Sequence, residues 1–274
     1  MGIVLNPTTE AHLSAMKQMT PHAILLTGKP GAGLTTAAKY LSGNDLTVVI
    51  QPLNSSEEVD LDTGTMSVSA IRKLYEQTRS KSAFRQVFLL DSADRMSLGA
   101  QAAFLKLLEE PTDSTYFILT SHTPQALLPT IHSRVQTVII EPLSDNQTKA
   151  FIDELGVKDQ QTKKQLEYLA SGLPAELMRL TQNETYFKER AEIMTDTRTF
   201  LTGTLYDKLL IVHKYHQNRA KSLQLIGSAL SVTRRSLTMK PQPNLIAKLD
   251  ALLATHEKIS TNCNIRLQLM ALVV

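Results

Sequence analysis

The fold is decided by residues 28–35, Gly28-Lys29-Pro30-Gly31-Ala32-Gly33-Leu34-Thr35. This stretch follows the phosphate-binding loop pattern G-x-x-x-x-G-K-[ST] at every fixed position except one. An apolar strand over 23–26 leads into it, and residues 35–41 leave it as a helix. In such a loop the backbone N–H groups converge on an anion at the amino end of the helix. The sequence therefore predicts a parallel α/β domain built around a phosphate loop.

The exception in this loop is Leu34, which stands where the pattern has lysine. In an active nucleotide hydrolase that lysine neutralises the β- and γ-phosphates, and an isobutyl group cannot do so. We therefore interpret Gly28, Gly31, Gly33, Leu34 and Thr35 as a degenerate phosphate loop, whose shape is kept and whose chemistry is lost.

Two further polar positions follow apolar strands downstream. The run 86–91 ends in Asp91, as expected of a strand whose carboxylate holds Mg²⁺. With leucine at the position of the loop lysine, a structural hydrogen-bonding role for Asp91 is at least as well supported. Ser121, next to Thr120, falls where a polar side chain would sense phosphate, and hydrogen bonding at the strand end is the equal alternative.

Composition indicates an ordinary globular protein. The chain has 274 residues, 42% hydrophobic and 20% charged, which suffices for one large domain or two to three smaller ones. Cys263 is the only cysteine, so an internal disulfide and a multi-cysteine zinc site are excluded. Residues 1–7 do not form a signal peptide, and no apolar run is long enough to span a bilayer. We expect a cytoplasmic protein.

Charge is unevenly distributed along the chain. Residues 1–185 hold 16 Lys/Arg and 20 Asp/Glu, whereas residues 186–274 hold 13 and 6. A basic carboxyl-terminal part could face nucleic acid or an acidic partner, and a solvated helical surface is the favoured alternative. No aromatic residues interleave a basic stripe, so direct reading of DNA is not predicted.

The pattern of apolar residues predicts three regions. Apolar runs alternate with helical segments from 22 to 140, which is typical of a parallel sheet with crossover helices. The predicted strands are 22–27, 46–50, 86–91, 115–121 and 135–140. The predicted helices between them are 33–41, 69–80 and 97–109, the last capped by Ser97. Short helices follow over 145–155, 159–170 and 174–182, and longer amphipathic helices from 186 are interrupted at Gly203 and at 241–243.

We accordingly expect an α/β domain over 1–143, a small helical lid over 144–185 and a helical domain over 186–274. Five stretches add a family resemblance to this layout. Together they resemble, in order, the clamp-loader branch of the AAA+ proteins: SVSAIR at 67–72, DSADRM at 91–96, LKLLEEP at 105–111, LPTIHSRV at 128–135 and ISTNCNIRL at 259–267.

Departures from the family pattern point to one kind of subunit. Hydrolysing subunits carry the loop lysine, and they carry a glutamate where this chain has Ser92. They also carry a cysteine-rich zinc insertion, for which 42–66 is too short and has no cysteine. Ala175 stands where ATP-binding relatives place a sensing arginine. Ala102 replaces a usual asparagine, and we have no account of that change.

Arg134, with Ser133, matches the arginine motif that the family points across a subunit interface at a neighbour's γ-phosphate. We expect this pair in the turn after the sensor strand, at the carboxyl end of the sheet. The alternative is a surface ion pair. Glu109 and Glu110 resemble a catalytic carboxylate pair, but their place at a helix end before proline favours interface or capping contacts.

The resemblance implies a non-hydrolysing subunit of the replicative DNA polymerase clamp loader, with no cofactor or metal of its own. Its implied partners are the gamma/tau and delta subunits, the sliding clamp, and primed DNA through the complex, with no membrane. Arg134 would serve a neighbour's ATP, and the carboxyl-terminal helices would form an oligomeric collar. Two alternatives stay open: an active AAA+ ATPase in which Lys29 reaches the phosphate, or a stand-alone interaction module.

Overall fold

The computed structural model describes residues 4–19, 21–43, 45–61, 63–78, 85–111, 114–240, 242–261 and 263–273. The chain divides into two compact units, Met1–Arg179 and Leu180–Val274. The three-domain division drawn from the sequence stays a prediction. Some residues on which predictions were made lie outside the described ranges. They are 1–3 of the amino-terminal segment, 79–80 at the end of the second predicted helix, 241 in the predicted helix break, and 262 in the motif at 259–267.

The first unit is organised around a five-stranded parallel sheet. Its strands are β1 (Ala23–Thr27), β2 (Leu46–Ile50), β3 (Gln86–Leu90), β4 (Thr115–Ser121) and β5 (Gln136–Ile139). Their order across the sheet is β2-β3-β4-β1-β5. Each predicted strand is present to within a residue or two, and the α/β fold class is confirmed.

Helices connect these strands because parallel neighbours require a crossover. The first unit carries α1 (Pro7–Met19), α2 (Leu34–Ser42), α3 (Val68–Thr78), α4 (Leu98–Glu109), α5 (Pro129–His132), α6 (Asp145–Glu154), α7 (Gln160–Ala170) and the start of α8 (Pro174–Gln182), whose last three residues fall in the second unit. The backbone N–H of Ala100 donates to Ser97 Oγ at 3.2 Å, so the predicted cap of α4 is confirmed. Helices α1 and α5 were not predicted.

Both faces of the three central strands are buried, which explains why β1, β3 and β4 read as nearly unbroken apolar runs. Phe88 and Phe117 pack on one face with Phe104 of α4, whose ring meets that of Phe117 edge-on at 5.3 Å. The opposite face buries Val87 and Leu89 against α1 and α2. The sheet is thereby fixed between two helical layers, and its carboxyl edge is left to form a site.

The second unit is entirely helical within the described residues. It contains α9 (Glu184–Thr202), α10 (Leu205–Tyr215), α11 (Arg219–Met239), α12 (Pro243–Ser260) and α13 (Ile265–Met270). Its core is aliphatic around Leu225, Ile226 and Leu252. Gly203 ends α9, as predicted, and a capping box between Thr204 and Asp207 starts the next helix. No helix in the described ranges is long and apolar enough to cross a membrane.

Candidate functional site

The predicted phosphate loop lies between β1 and α2, at the carboxyl edge of the sheet. Gly31 and Gly33 have φ angles of 87° and 85°, in the left-handed region that favours glycine. A Cβ on Gly28 would lie 2.9 Å from the carbonyl oxygen of Ile140, so that position also excludes a side chain. The three glycines are therefore required by the shape of the loop.

Leu34 is the first residue of α2 and is buried. It belongs to the apolar cluster that includes Leu26 and Ile140. Lys29, the alternative cation, is exposed. The side chain at the lysine position is therefore a part of the core, and it brings no positive charge to the loop.

Asp91 is buried beneath the loop and accepts hydrogen bonds from three neutral side chains. Thr35 Oγ1 and Thr120 Oγ1 donate to its Oδ1 at 3.1 and 2.8 Å, and Gln51 Nε2 donates to its Oδ2 at 3.1 Å. These contacts satisfy both carboxylate oxygens without a cation. Sequence reasoning missed Gln51, because nothing in its local pattern marks it as a partner of a strand 40 residues away.

Ser92 and Ser121 lie next to this carboxylate. Ser92 has a φ of 60°, which is unusual for a residue with a Cβ, and its N–H donates to Thr120 Oγ1 at 2.9 Å. Ser121 is fully buried, and its Oγ accepts from the N–H of Thr123 at 3.2 Å. This hydrogen bond lies at the strand end, and a phosphate-sensing role for Ser121 stays a prediction.

His122 was not singled out by sequence reasoning. It follows β4, and its Nδ1 lies 2.8 Å from the carbonyl oxygen of Gly28 at the start of the loop. Its position could have been expected from topology, since β4 and β1 are neighbours and both end at this edge. The contact links the loop to the adjacent strand.

The amino end of α8 is hydrogen-bonded to the loop. The N–H groups of Ala175 and Glu176 lie 3.0 and 3.4 Å from the carbonyl oxygen of Gly31. A Cβ on Gly31 would lie 3.1 Å from Cβ of Glu176. Ala175, which stands at the position of the sensing arginine, therefore meets the loop through its backbone N–H.

A cavity of about 230 Å³ lies beside the loop, α6 and α8. Its described lining residues carry no charge: Val4, Leu5, Ala32, Gly33, Thr36, Ala37, Phe151, Pro174, Ala175 and Met178. Such a cavity can receive an apolar or aromatic group, but its lining has no ammonium or guanidinium to neutralise a phosphate.

Arg134 lies away from this loop. The loop follows the carboxyl end of β1, whereas Arg134 lies at the amino ends of the strands. It comes two residues before β5, whose first residue, Gln136, is in register with Ile24 near the start of β1. The expectation that Ser133 and Arg134 lie at the carboxyl end is therefore wrong. The reason is the crossover: β5 is parallel to β1, so the chain must return to the amino edge between Ser121 and Gln136.

Three acceptors hold the guanidinium of Arg134. Its Nη1 donates to the carbonyl oxygen of Thr130 and to Ser133 Oγ, both at 3.1 Å. Its Nη2 lies 2.9 Å from Oε1 of Glu109, at the end of α4. Both partners of this ion pair are partly exposed. Glu109 therefore contacts Arg134, and Glu110 forms the end of the helix.

Gln101 fixes the segment that carries Arg134. Its buried amide donates to the carbonyl oxygens of Met96 and Ala126 at 3.3 and 3.1 Å. Its Oε1 accepts from the N–H of Leu128 at 2.8 Å, just before α5. The bonds to Ala126 and Leu128 join α4 to the segment that leads to Arg134, and they hold the backbone of that segment in place.

Comparisons with known proteins agree with this architecture. Residues 42–144 match the family described as DNA polymerase III, delta subunit. DNA polymerase III subunit delta′ of Bacillus subtilis is 27% identical over 203 residues, covering 66% of this chain and 60% of that protein. The replication factor C small subunit of Methanococcus vannielii is 31% identical over 149 residues, covering 52% and 45%. The aligned stretch thus spans less than two thirds of each relative.

A solved structure from Thermotoga maritima, a DNA polymerase III gamma subunit-related protein, has a TM-score of 0.54 at 17% identity. The alignment covers 95% of this chain and 97% of that one, which shows that the fold is shared. In sequence the chain is thus similar to subunits of DNA polymerase III and of replication factor C.

Proposed function

We propose that this chain is a non-hydrolysing subunit of a DNA polymerase clamp loader, in the position that delta′ holds in bacteria. In this role it binds no ATP productively, assembles with gamma/tau and delta subunits, and helps to load the sliding clamp onto primed DNA. It donates Arg134 to the ATP of a neighbouring subunit.

The observation that carries the proposal is the buried Leu34 at the lysine position of an otherwise intact loop. Without that charge, no cation stands at the loop position that neutralises the β- and γ-phosphates. Ser92 offers no carboxylate to polarise water, and Asp91 is already satisfied by neutral donors. The alternative of an active ATPase using Lys29 has no comparable support.

The placement of Arg134 supports action in trans. This guanidinium lies at the amino edge of the sheet, whereas the loop of its own subunit lies at the carboxyl edge. The strands between the two edges are four to seven residues long, or roughly 13–23 Å at about 3.3 Å per residue. A nucleotide in the loop of this chain therefore cannot reach a guanidinium so placed.

The second unit offers a surface for assembly. Four large apolar side chains are exposed on α10, at spacings that place them on one helical face: Leu205, Tyr206, Leu209 and Leu210. Helices with uncovered apolar faces favour association. This face supports the collar role over the alternative of a stand-alone module.

Reconstitution with the gamma/tau and delta subunits of the same organism tests the proposal. The chain should enter a stable complex, and Arg134→Ala should enter it equally well with an unchanged melting temperature. That variant should lower clamp- and DNA-stimulated ATP turnover several-fold. A chain that stays monomeric in this mixture, or a complex whose turnover is indifferent to Arg134→Ala, would overturn the respective part of the proposal.

A further inference from the structure

Arg134 carries a counter-ion on its own subunit. Nη2 of Arg134 and Oε1 of Glu109 are 2.9 Å apart, within the range of a charge-assisted hydrogen bond. The pair joins the end of α4 to the segment before β5. Because both side chains are partly exposed, an incoming anion can approach the guanidinium.

An arginine that serves a phosphate needs free donors and an uncompensated charge. The guanidinium has five N–H donors. Both N–H donors of Nη1 are occupied by Thr130 and Ser133, and one N–H donor of Nη2 is occupied by Glu109. A phosphate oxygen that approaches Nη2 therefore meets the carboxylate of Glu109, with which it competes for a donor and from which it is repelled.

We propose that Glu109 is an intramolecular competitor of the phosphate, which holds Arg134 in reserve until a neighbour's nucleotide displaces the carboxylate. This inference rests on the proposed function of Arg134 and adds its regulation. A phosphate carries more negative charge than a carboxylate, so displacement is favourable once the neighbour's γ-phosphate is close. The ion pair therefore weakens the binding of phosphate to Arg134 without preventing it.

The size of the effect follows from the exposure of the pair. Exposed ion pairs shift equilibria by about two- to fivefold. Removing the competing charge should therefore strengthen the capture of phosphate by about that factor and no more. Glu110 provides a matched control, since it is the adjacent glutamate, is exposed, and forms no ion pair among the described residues.

The competition can be measured on the isolated full-length chain. Pyrophosphate is titrated while the side-chain Nε–H signal of Arg134 is followed by NMR and assigned by its loss in Arg134→Lys. Glu109→Gln keeps the side-chain shape and removes the charge, and it should lower the half-saturating concentration about two- to fivefold. Glu110→Gln should lower it by clearly less. An equal decrease of the half-saturating concentration in the two variants, or no decrease in Glu109→Gln, would overturn the inference.

The assembled complex provides the functional arm. Glu109→Gln should raise ATP turnover measured without clamp and DNA, and so reduce the factor by which they stimulate it. The double variant Glu109→Gln with Arg134→Ala should not show this rise in turnover, because the arginine for which Glu109 competes is then absent. A fall in turnover with Glu109→Gln would show that Glu109 orients the arginine instead. If Arg134→Ala alone changes nothing, the trans role fails, while the pyrophosphate titration still decides the competition.

Discussion

Thr35 Oγ1 lies 3.1 Å from Oδ1 of Asp91, so the two side chains that would share a magnesium ion in a nucleotide site are hydrogen-bonded to each other. Thr120 and Gln51 complete the shell of this carboxylate. All three partners are neutral, and Asp91 is buried. Asp91 is thereby a polar link between the loop, β4 and the segment that follows β2.

The first prediction follows from this link. Asp91→Ala should lower the free energy of unfolding by about 2–4 kcal/mol, because three buried or partly buried donors lose their acceptor. Asp91→Asn should cost about 1 kcal/mol, since one oxygen still accepts from the two hydroxyls. Urea unfolding followed by circular dichroism measures both, with Glu110→Ala as the exposed control. An effect of Asp91→Ala no larger than that control would contradict the structural role.

The second prediction concerns the lost lysine. Leu34→Lys should strengthen binding of ATP with Mg²⁺ relative to the wild-type chain, because a flexible ammonium group can extend from the first turn of α2 towards the loop. Turnover should stay at background, since Ser92 supplies no carboxylate. Calorimetry and a phosphate-release assay test the two statements. Leu34→Met, which keeps an apolar side chain of similar volume, should gain no affinity.

Measurable hydrolysis by Leu34→Lys alone would contradict the interpretation of Ser92. A glutamate at position 92 would have to adopt the φ of 60° that the serine already has.

The third prediction distinguishes the shape of Arg134 from its charge. Arg134→Lys should recover little of the turnover lost in Arg134→Ala when each variant is placed in the assembled complex. A single ammonium cannot hold Thr130 and Ser133 through one nitrogen while it presents another to a phosphate. Turnover of Arg134→Lys near the wild-type level would show that charge alone is sufficient at this position.

The sequence predicted the sheet well because its strands are short apolar runs between turn signals, and both faces of the central strands are buried. It missed α1, although Asn6 and Pro7 are a helix start: the N–H of Thr8 donates to Asn6 Oδ1 at 3.0 Å. It also missed the small α5, which is too short for periodicity to show. The start of α1 is a local signal that the sequence does contain.

The site was less predictable for a different reason. Gly28, Gly31 and Gly33 are fixed by a motif, whereas Gln51, His122 and the contact of Glu109 with Arg134 depend on which strands and helices are neighbours. The edge on which Arg134 lies was predicted wrongly because the crossover to β5 was not followed to its end. Contacts of this kind can be predicted only when the order and direction of the strands are known in addition to the motifs.

The fourth prediction concerns pH and the second unit. Tyr215 OH donates to Asp196 Oδ2 at 2.8 Å, and burial with this carboxylate raises the pKa of Tyr215. Lys214 bridges Asp196 and Glu192, and these hydrogen bonds raise its pKa as well. Both groups thus keep their protons longer in the folded state than in the unfolded one.

The resulting stability is fully present below the unfolded pKa values, about 10.0 for tyrosine and 10.5 for lysine. It is lost as the pH rises above them, because the unfolded chain then releases protons that the folded chain retains. Tyr215→Phe should make the melting temperature fall less steeply between pH 9.5 and about 11. Tyr206→Phe, at an exposed tyrosine of the same helix, is the control and should leave the slope unchanged.

The last prediction concerns the apolar face of α10. Leu210→Glu should weaken entry of the chain into the clamp-loader complex at least tenfold, since a buried contact would receive an unpaired charge. The fold of the free chain should be unaffected, because Leu210 is 49% exposed before assembly. Met19→Glu is the matched control: Met19 is 64% exposed at the end of α1 in the other unit, and its substitution should not alter assembly. Size-exclusion chromatography with light scattering and circular dichroism separate the two effects. Assembly of Leu210→Glu at wild-type affinity would remove this face from the proposed collar.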